Sequence, residues 1–330
     1  FIQSVLEQRT HEARQEATQA RSVAIEKGFS REHETFVSGQ DHYDSAQNHA
    51  DEEQYEDSIR AFVRATIAFK ALKKLDPEVL ARRPIEFTVG VTEQDRKLAL
   101  QVCNQANGDC AKLNFSRETA RNVSIAPFGI DQNEISNIQF AQFVKETRYL
   151  TQAERQGFTF GLESGALIKV AGLNWRQPLQ GVEVSVQEIP NHPVVNLTRV
   201  EAQAYCEWDK KRLPSEEEWE FVARGVDQRR LYSWGNGWQQ ASTEAEFALG
   251  VGSNPADMTP ERVFDLSGNV KEWTSSNDGD SAIVRGGSWI DNGINRSRLS
   301  FRHTVSSELP MQDVGFRCAK TIEKWGGTGS

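Results

Sequence analysis

The sequence predicts an α+β domain, loop-rich with short strands and two main helices, preceded by an α-helical hairpin region. Three observations carry this reading. Apolar and small residues recur at helical spacing through residues 1–83. Beyond Pro77 and Pro84 the chain breaks into short segments punctuated by Gly and Trp. Within that texture, NEISNIQFAQFVKETR and RVEAQAYCEWDKK keep a helical period.

In residues 1–83, Ala13, Ala17, Ala20 and Ala24 form a small-residue stripe that permits close helix packing, and Gly28 stands where a C-terminal cap is expected. Tyr55, Ile59, Phe62, Phe69 and Leu72 share one face, and the segment loosely resembles a single tetratricopeptide-type hairpin. His33, His42 and His49 lack a third metal ligand in a dry setting and are read as solvated. Residues 84–115 read as a connecting strand (PIEFTVGV) and turn (CNQANGDC). In the main domain, 116–322, RNVSIAPFGID is strand-like. The helix that follows is expected to bury Ile138 and Phe140–Phe143. In RLPSEEEWEFVARG, Ser215 and Glu218 form a capping box. Residues 323–330 read as an added tail, and Phe1 in place of Met as the result of removing a signal peptide or anchor.

A net charge of −9 argues against a nucleic-acid partner, which needs a cationic field. No apolar run reaches the roughly 18 residues of a membrane span. Cys103, Cys110, Cys206 and Cys318 allow two disulfides in any of three pairings, among which spacing does not choose, and their spacing suits zinc poorly.

Seven stretches then occur in a fixed order: FGIDQNEISNIQFAQFV, LNWRQPLQG, HPVVNLTRVEAQAYCEWDKKRLPSEEEWEFVARG, YSWGN, FDLSGNVKEW, RGGSW and VGFRC. In this order the segment 116–322 resembles the formylglycine-generating enzyme (sulfatase-modifying factor) family. The resemblance implies a C-type-lectin-like fold and a disulfide between Cys206 and Cys318. Cys103 and Cys110, outside the matched segment, are expected to pair with each other, and two bridges imply a protein outside the cytoplasm. The resemblance also implies one calcium ion at FDLSGNVKEW, held by the side chains of Asp265 and Glu272 and the carbonyls of Gly268 and Val270. Hard oxygens around a Gly-containing turn suit that ion.

Family enzymes hold copper through two cysteines, because thiolates are the soft ligands Cu(I) requires. Here those positions read Asp291 and Arg296, and Lys271 replaces an aromatic residue. Neither copper nor catalysis is expected. Ser288 has no marked base, although a pairing of His303 with Asp291 or Asp313 is conceivable, and His192 reads as packed. The related iron-dependent sulfoxide synthases use an HxxxH-type site that His33, His42 and His49 do not reproduce.

Binding remains. Residues 290–313 are expected to form exposed loops, and Arg296, Arg298, Phe301, Arg302 and His303 are the candidate partner-binding residues. Among family members the chain most resembles periplasmic regulators of type VI secretion, the TagR kind, which act upstream of a membrane threonine kinase. This implies a regulator that meets a membrane-associated protein partner. Two other readings stay open, a ligand-binding display protein of lectin fold and an enzyme of untypical chemistry.

Overall fold

A computed structural model of the chain describes residues 2–26, 34–52, 54–74, 84–163, 166–179, 185–225, 229–239, 247–290 and 293–322. Two compact units divide between residues 84 and 85. The N-terminal unit contains α1 (Ile2–Glu26), α2 (Glu34–Asp51) and α3 (Tyr55–Lys74), with α3 packed on both of the others. Ala17, Ala20 and Ala24 are buried as their stripe predicts, against Ala46, Ala61, Phe62 and Ala65. The small side chains let Phe62 lie edge-on to Tyr43, ring centres 5.4 Å apart. Gly28 and His33 lie outside the described residues, while His49 bonds through Nδ1 to Gln54 at 2.8 Å. No described helix is long and apolar enough to cross a membrane.

The second unit runs from Ile85 and takes in most of the stretch expected to be a connector. After β1 (Ile85–Val89), Thr92 and Asp95 form a capping box that starts α4 (Glu93–Gln105). A 3-10 turn, Cys110–Lys112, follows. β1 pairs with β2 (Arg121–Ile125), so this segment is built into the domain. The helical period of α4 is visible in EQDRKLALQVCNQ; the dominant signal, however, is the turn-rich run that follows it.

The remaining elements in order are β3 (Phe128–Ile130), α5 (Asn137–Thr147), the short α6 (Gln152–Gln156), the hairpin β4 (Phe158–Glu163) and β5 (Ala166–Ala171), α7 (Arg199–Trp208) and α8 (Glu216–Arg224). They end with β6 (Lys271–Asp278), β7 (Ser281–Arg285), β8 (Arg302–Val305), β9 (Val314–Gly315) and β10 (Ala319–Thr321). β6 to β9 form a four-stranded sheet in the order β8-β7-β6-β9, while β10 returns to pair with β3. The architecture is α+β, with more helix than the two main helices predicted.

In the main core, Phe140, Phe143, Trp175, Tyr205, Trp273 and Phe316 pack together. Ile138 departs from expectation. It stands 58% exposed, because its amide donates to Pro190 O at the start of α5 and the helix turns Phe140, Phe143 and Val144 inward instead. Ser215 and Glu218 form the expected box, with Ser215 N donating to Glu218 Oε2 at 2.8 Å and Glu218 N to Ser215 Oγ at 3.2 Å. Cys206–Cys318 joins α7 to the segment before β10, and Cys103–Cys110 joins α4 to the 3-10 turn. Such bonds persist in oxidising compartments.

Candidate functional site

An open cleft of about 1310 Å³ lies on the second unit. β8 supplies Arg302 to Val305, the loop before it Gly293 to Arg296 and Phe301, and the region of the 3-10 turn Asp109, Lys112, Asn114 and Arg117. Leu167 of the β4–β5 hairpin and Leu309 and Met311 add apolar lining.

Lys271 stands at the head of β6 and reaches the cleft from an almost fully buried position. Its Nζ lies 2.8 Å from Asp313 Oδ2, the oxygen that also accepts from Ser288 Oγ at 2.8 Å. Asp313 is therefore committed to a lysine and a serine. Ser288 spends its hydrogen on a carboxylate that an ammonium ion already neutralises, so the oxygen is not activated for attack.

The partner-binding candidates separate by burial. Arg296 is exposed, its guanidinium 4.9 Å from the Phe301 ring centre, and Phe301 in turn packs on His303 at 4.6 Å. Arg298 does not belong to this surface: it is 1% exposed and grips Glu118 through two 2.7 Å bonds, over the Phe115 ring. A buried arginine needs such a partner, and Glu118 lies 180 positions away. Arg302 is half-buried, bound to both oxygens of Glu216 at 2.7 and 3.0 Å and to Arg117 O at 2.9 Å. His303 is buried too. Burial first, then the charges of Lys271, Arg296 and Arg285, hold its ring well below the usual histidine range and so neutral. Asp291 lies outside the described residues. His192 packs as expected, stacked on Phe247 with Nδ1 2.7 Å from Ala248 O.

Asp109, Lys112, Arg117, Leu167 and Leu309 join the cleft without any signal in their local sequence. Long-range topology alone brings them there.

At the turn expected to bind calcium, Asp265 and Asn269 both take left-handed backbone angles, φ 62° and 60°. Asp265 Oδ2 accepts from Gly252 N at 2.6 Å, and both Glu134 oxygens accept from Asn269 Nδ2 at 3.1 Å. Glu134, Asp257, Asp265 and Glu272 are all buried, with Arg317 beside them. Burial, reinforced by the charge of Asp265, raises Asp257 to about 7 and Glu134 well above the usual carboxylate range. Glu134, Asp257 and Asp265 thus present hard oxygens, the donor type that divalent cations take. Glu272 is less free to serve, because Arg317 Nε and Nη2 hold its two oxygens, each at 2.7 Å. Among the described residues no three acidic, histidine or cysteine side chains are gathered as a metal cage.

A loop-rich α+β unit stitched by Cys206–Cys318, with a cleft lined by β8 and the loop before it, defines a domain of the formylglycine-generating type. The chain belongs to the family of the sulfatase-modifying factor enzyme 1-like domain, whose model matches residues 90–322. It is similar to the inactive C-alpha-formylglycine-generating enzyme 2 of Bos taurus, 35% identical over an alignment of 238 positions that covers 60% of this chain and 79% of that relative. It is also similar to the formylglycine-generating enzyme of Streptomyces coelicolor, 31% identical over an alignment of 258 positions that covers 62% of this chain and 82% of that enzyme. PvdO from Pseudomonas aeruginosa is a similar solved structure, with a TM-score of 0.49 and 18% identity over 72% of this chain and 92% of that one.

All four cysteines of the chain are held in disulfides. The chain thus offers no thiolate for the copper chemistry of the family's enzymes.

Proposed function

We propose that the chain is a non-catalytic binding protein of the periplasm that regulates a membrane-associated signalling protein by direct contact. A threonine-kinase pathway such as that of type VI secretion is the kind of target this reading names. The supporting observation is a cleft kept open where family enzymes place copper cysteines, while the chain's own cysteines are all bridged and Ser288 and Lys271 are tied to Asp313. Similarity to a relative named inactive points the same way. The exposed Arg296 and the half-buried Phe301 supply a cationic and aromatic contact surface at its mouth.

The test is a photo-crosslinking amino acid placed at Arg296 and, as a control, at exposed Val200, in cells carrying their envelope. Recovery of one membrane protein from the Arg296 position alone supports the reading. Equal recovery from both positions, or from neither, removes it.

We further propose that the turn at Asp265, Gly268, Val270 and Glu272 binds calcium in a structural role. The surplus of buried carboxylates supports this, with Glu272 sharing its oxygens between the ion and Arg317. Calcium added to chelator-treated protein is expected to raise its melting temperature where magnesium does not.

A further inference from the structure

We infer that Cys103–Cys110 is a reducible latch on one wall of the cleft. A dithiol reductant opens it and frees that wall, while Cys206–Cys318 stays closed. The inference goes beyond the docking reading and does not depend on what docks.

The first observation is access. Cys206 and Cys318 are both 0% exposed and belong to the main core. Cys103 is equally buried on α4, but Cys110 is half-buried at the start of the 3-10 turn. Exchange requires a thiolate to reach one of the two sulfurs, so accessible bridges are labile and enclosed ones persist. Cys110 Sγ is the sulfur that can be reached. The reductant's thiolate bonds to it, the Cys103–Cys110 bond breaks, and Cys103 leaves with the electron pair and takes a proton from water. The reductant's second thiol then displaces Cys110, which leaves as a thiol. Two electrons pass to the bridge, and the dithiol ends as a disulfide.

The second observation is what the bridge holds. Asp109, Lys112 and Asn114 line the cleft from this turn, opposite Ile294, Asn295 and Arg296 of the loop before β8. The main-chain bonds of residues 106–113, among the described residues, all close within residues 102–113. The turn is tied to the rest of the wall by side chains instead. Asn295 Nδ2 donates to Lys112 O at 3.0 Å, and Leu113 packs in one cluster with Ile294. A Cβ placed on Gly108 would stand 3.4 Å from Ile294 Cγ2, so the backbone of the turn lies close against that loop. A segment with few ties of its own opens locally once a cross-link is removed. Cutting the bridge thus frees the turn, and the 293–296 loop loses the surface it rests on.

The experiment treats the full chain with dithiothreitol in the absence of denaturant, alkylates the thiols and maps them by mass spectrometry. Cys103 and Cys110 are expected to be alkylated at least about tenfold faster than Cys206 and Cys318. Hydrogen exchange is then measured on the reduced protein. Peptides covering 107–114 and 293–298 are expected to exchange at least about tenfold faster, with α7 unchanged, and reoxidation to restore the original rates. The variant Cys103→Ser/Cys110→Ser should reproduce the reduced pattern; were it to unfold, faster exchange in α7 would reveal this, and the reduced parent decides. Both bridges opening at similar rates, or neither opening, overturns the selective reduction. Selective opening that leaves exchange at 293–298 unchanged overturns the latch. The crosslinking result at Arg296 bears on the docking reading alone, so the two stand or fall separately.

Discussion

Lys271 Nζ sits 2.8 Å from Asp313 Oδ2, and both side chains are all but removed from solvent. A buried ion pair is costly to break from one side, because the remaining charge stays desolvated. Lys271→Met is expected to lower unfolding free energy by about 3–5 kcal/mol, and Lys271→Met/Asp313→Asn to recover most of that loss. Urea unfolding of the two variants decides it. A double variant as unstable as the single one would show that the pair is not a closed unit.

Arg296 and Arg298, two residues apart, should behave oppositely. Arg298→Ala strands Glu118 in the interior and is expected to cost about 3–5 kcal/mol. Arg296→Ala, at the surface, should stay within about 0.5 kcal/mol of the parent. Equal losses at the two positions would mean that Arg296 is structural and not part of the cleft mouth.

The two disulfides close loops of very different length, with sequence separations of 112 and 7. In the chain-entropy model they stabilise by about 5 and about 2 kcal/mol respectively. Cys206→Ala/Cys318→Ala should therefore lower the melting temperature by about twice as much as Cys103→Ala/Cys110→Ala.

Acid should weaken the protein in two steps. His303 is held neutral in the fold, its pKa depressed below the ordinary 6.5, chiefly by burial. The unfolded chain takes up a proton there as pH falls below about 6.5, and the folded chain does not, so stability declines on that side. For Asp95, burial pushes the carboxyl up, but the hydrogen bond from Arg229 and the charge of Arg224 outweigh it and hold the group at about 2. Its contribution is complete above the unfolded value of 3.8 and is lost as pH falls toward 2. Relative to the parent, His303→Gln should flatten the stability profile between about pH 7 and 5, and Asp95→Asn between about 4 and 2. Profiles parallel to the parent's would refute either assignment.

Much of the local structure is legible in the sequence because it depends on near neighbours. Ser215 with Glu218, the alanine stripe of α1 and the β1 strand each follow from spacing alone. Ile138 was less legible, since a helix start carries apolar residues on more than one side and distant contacts, among them the bonds of Asn137 and Ile138 to the 189–192 segment, accompany the side that turns inward. Arg298 reads as a surface residue because arginine is rarely buried without a partner, and its partner lies far off in the chain.

By itself the sequence determined the α+β class, the order of the family motifs and the lack of a cysteine at the copper positions. These are matters of residue identity and short-range period. Tertiary structure alone decided which arginines face the cleft, that Asp313 belongs to Lys271 and Ser288, and that β8 ends its sheet. Burial and charge compensation are set by groups distant in sequence, and no local pattern encodes which of them will meet.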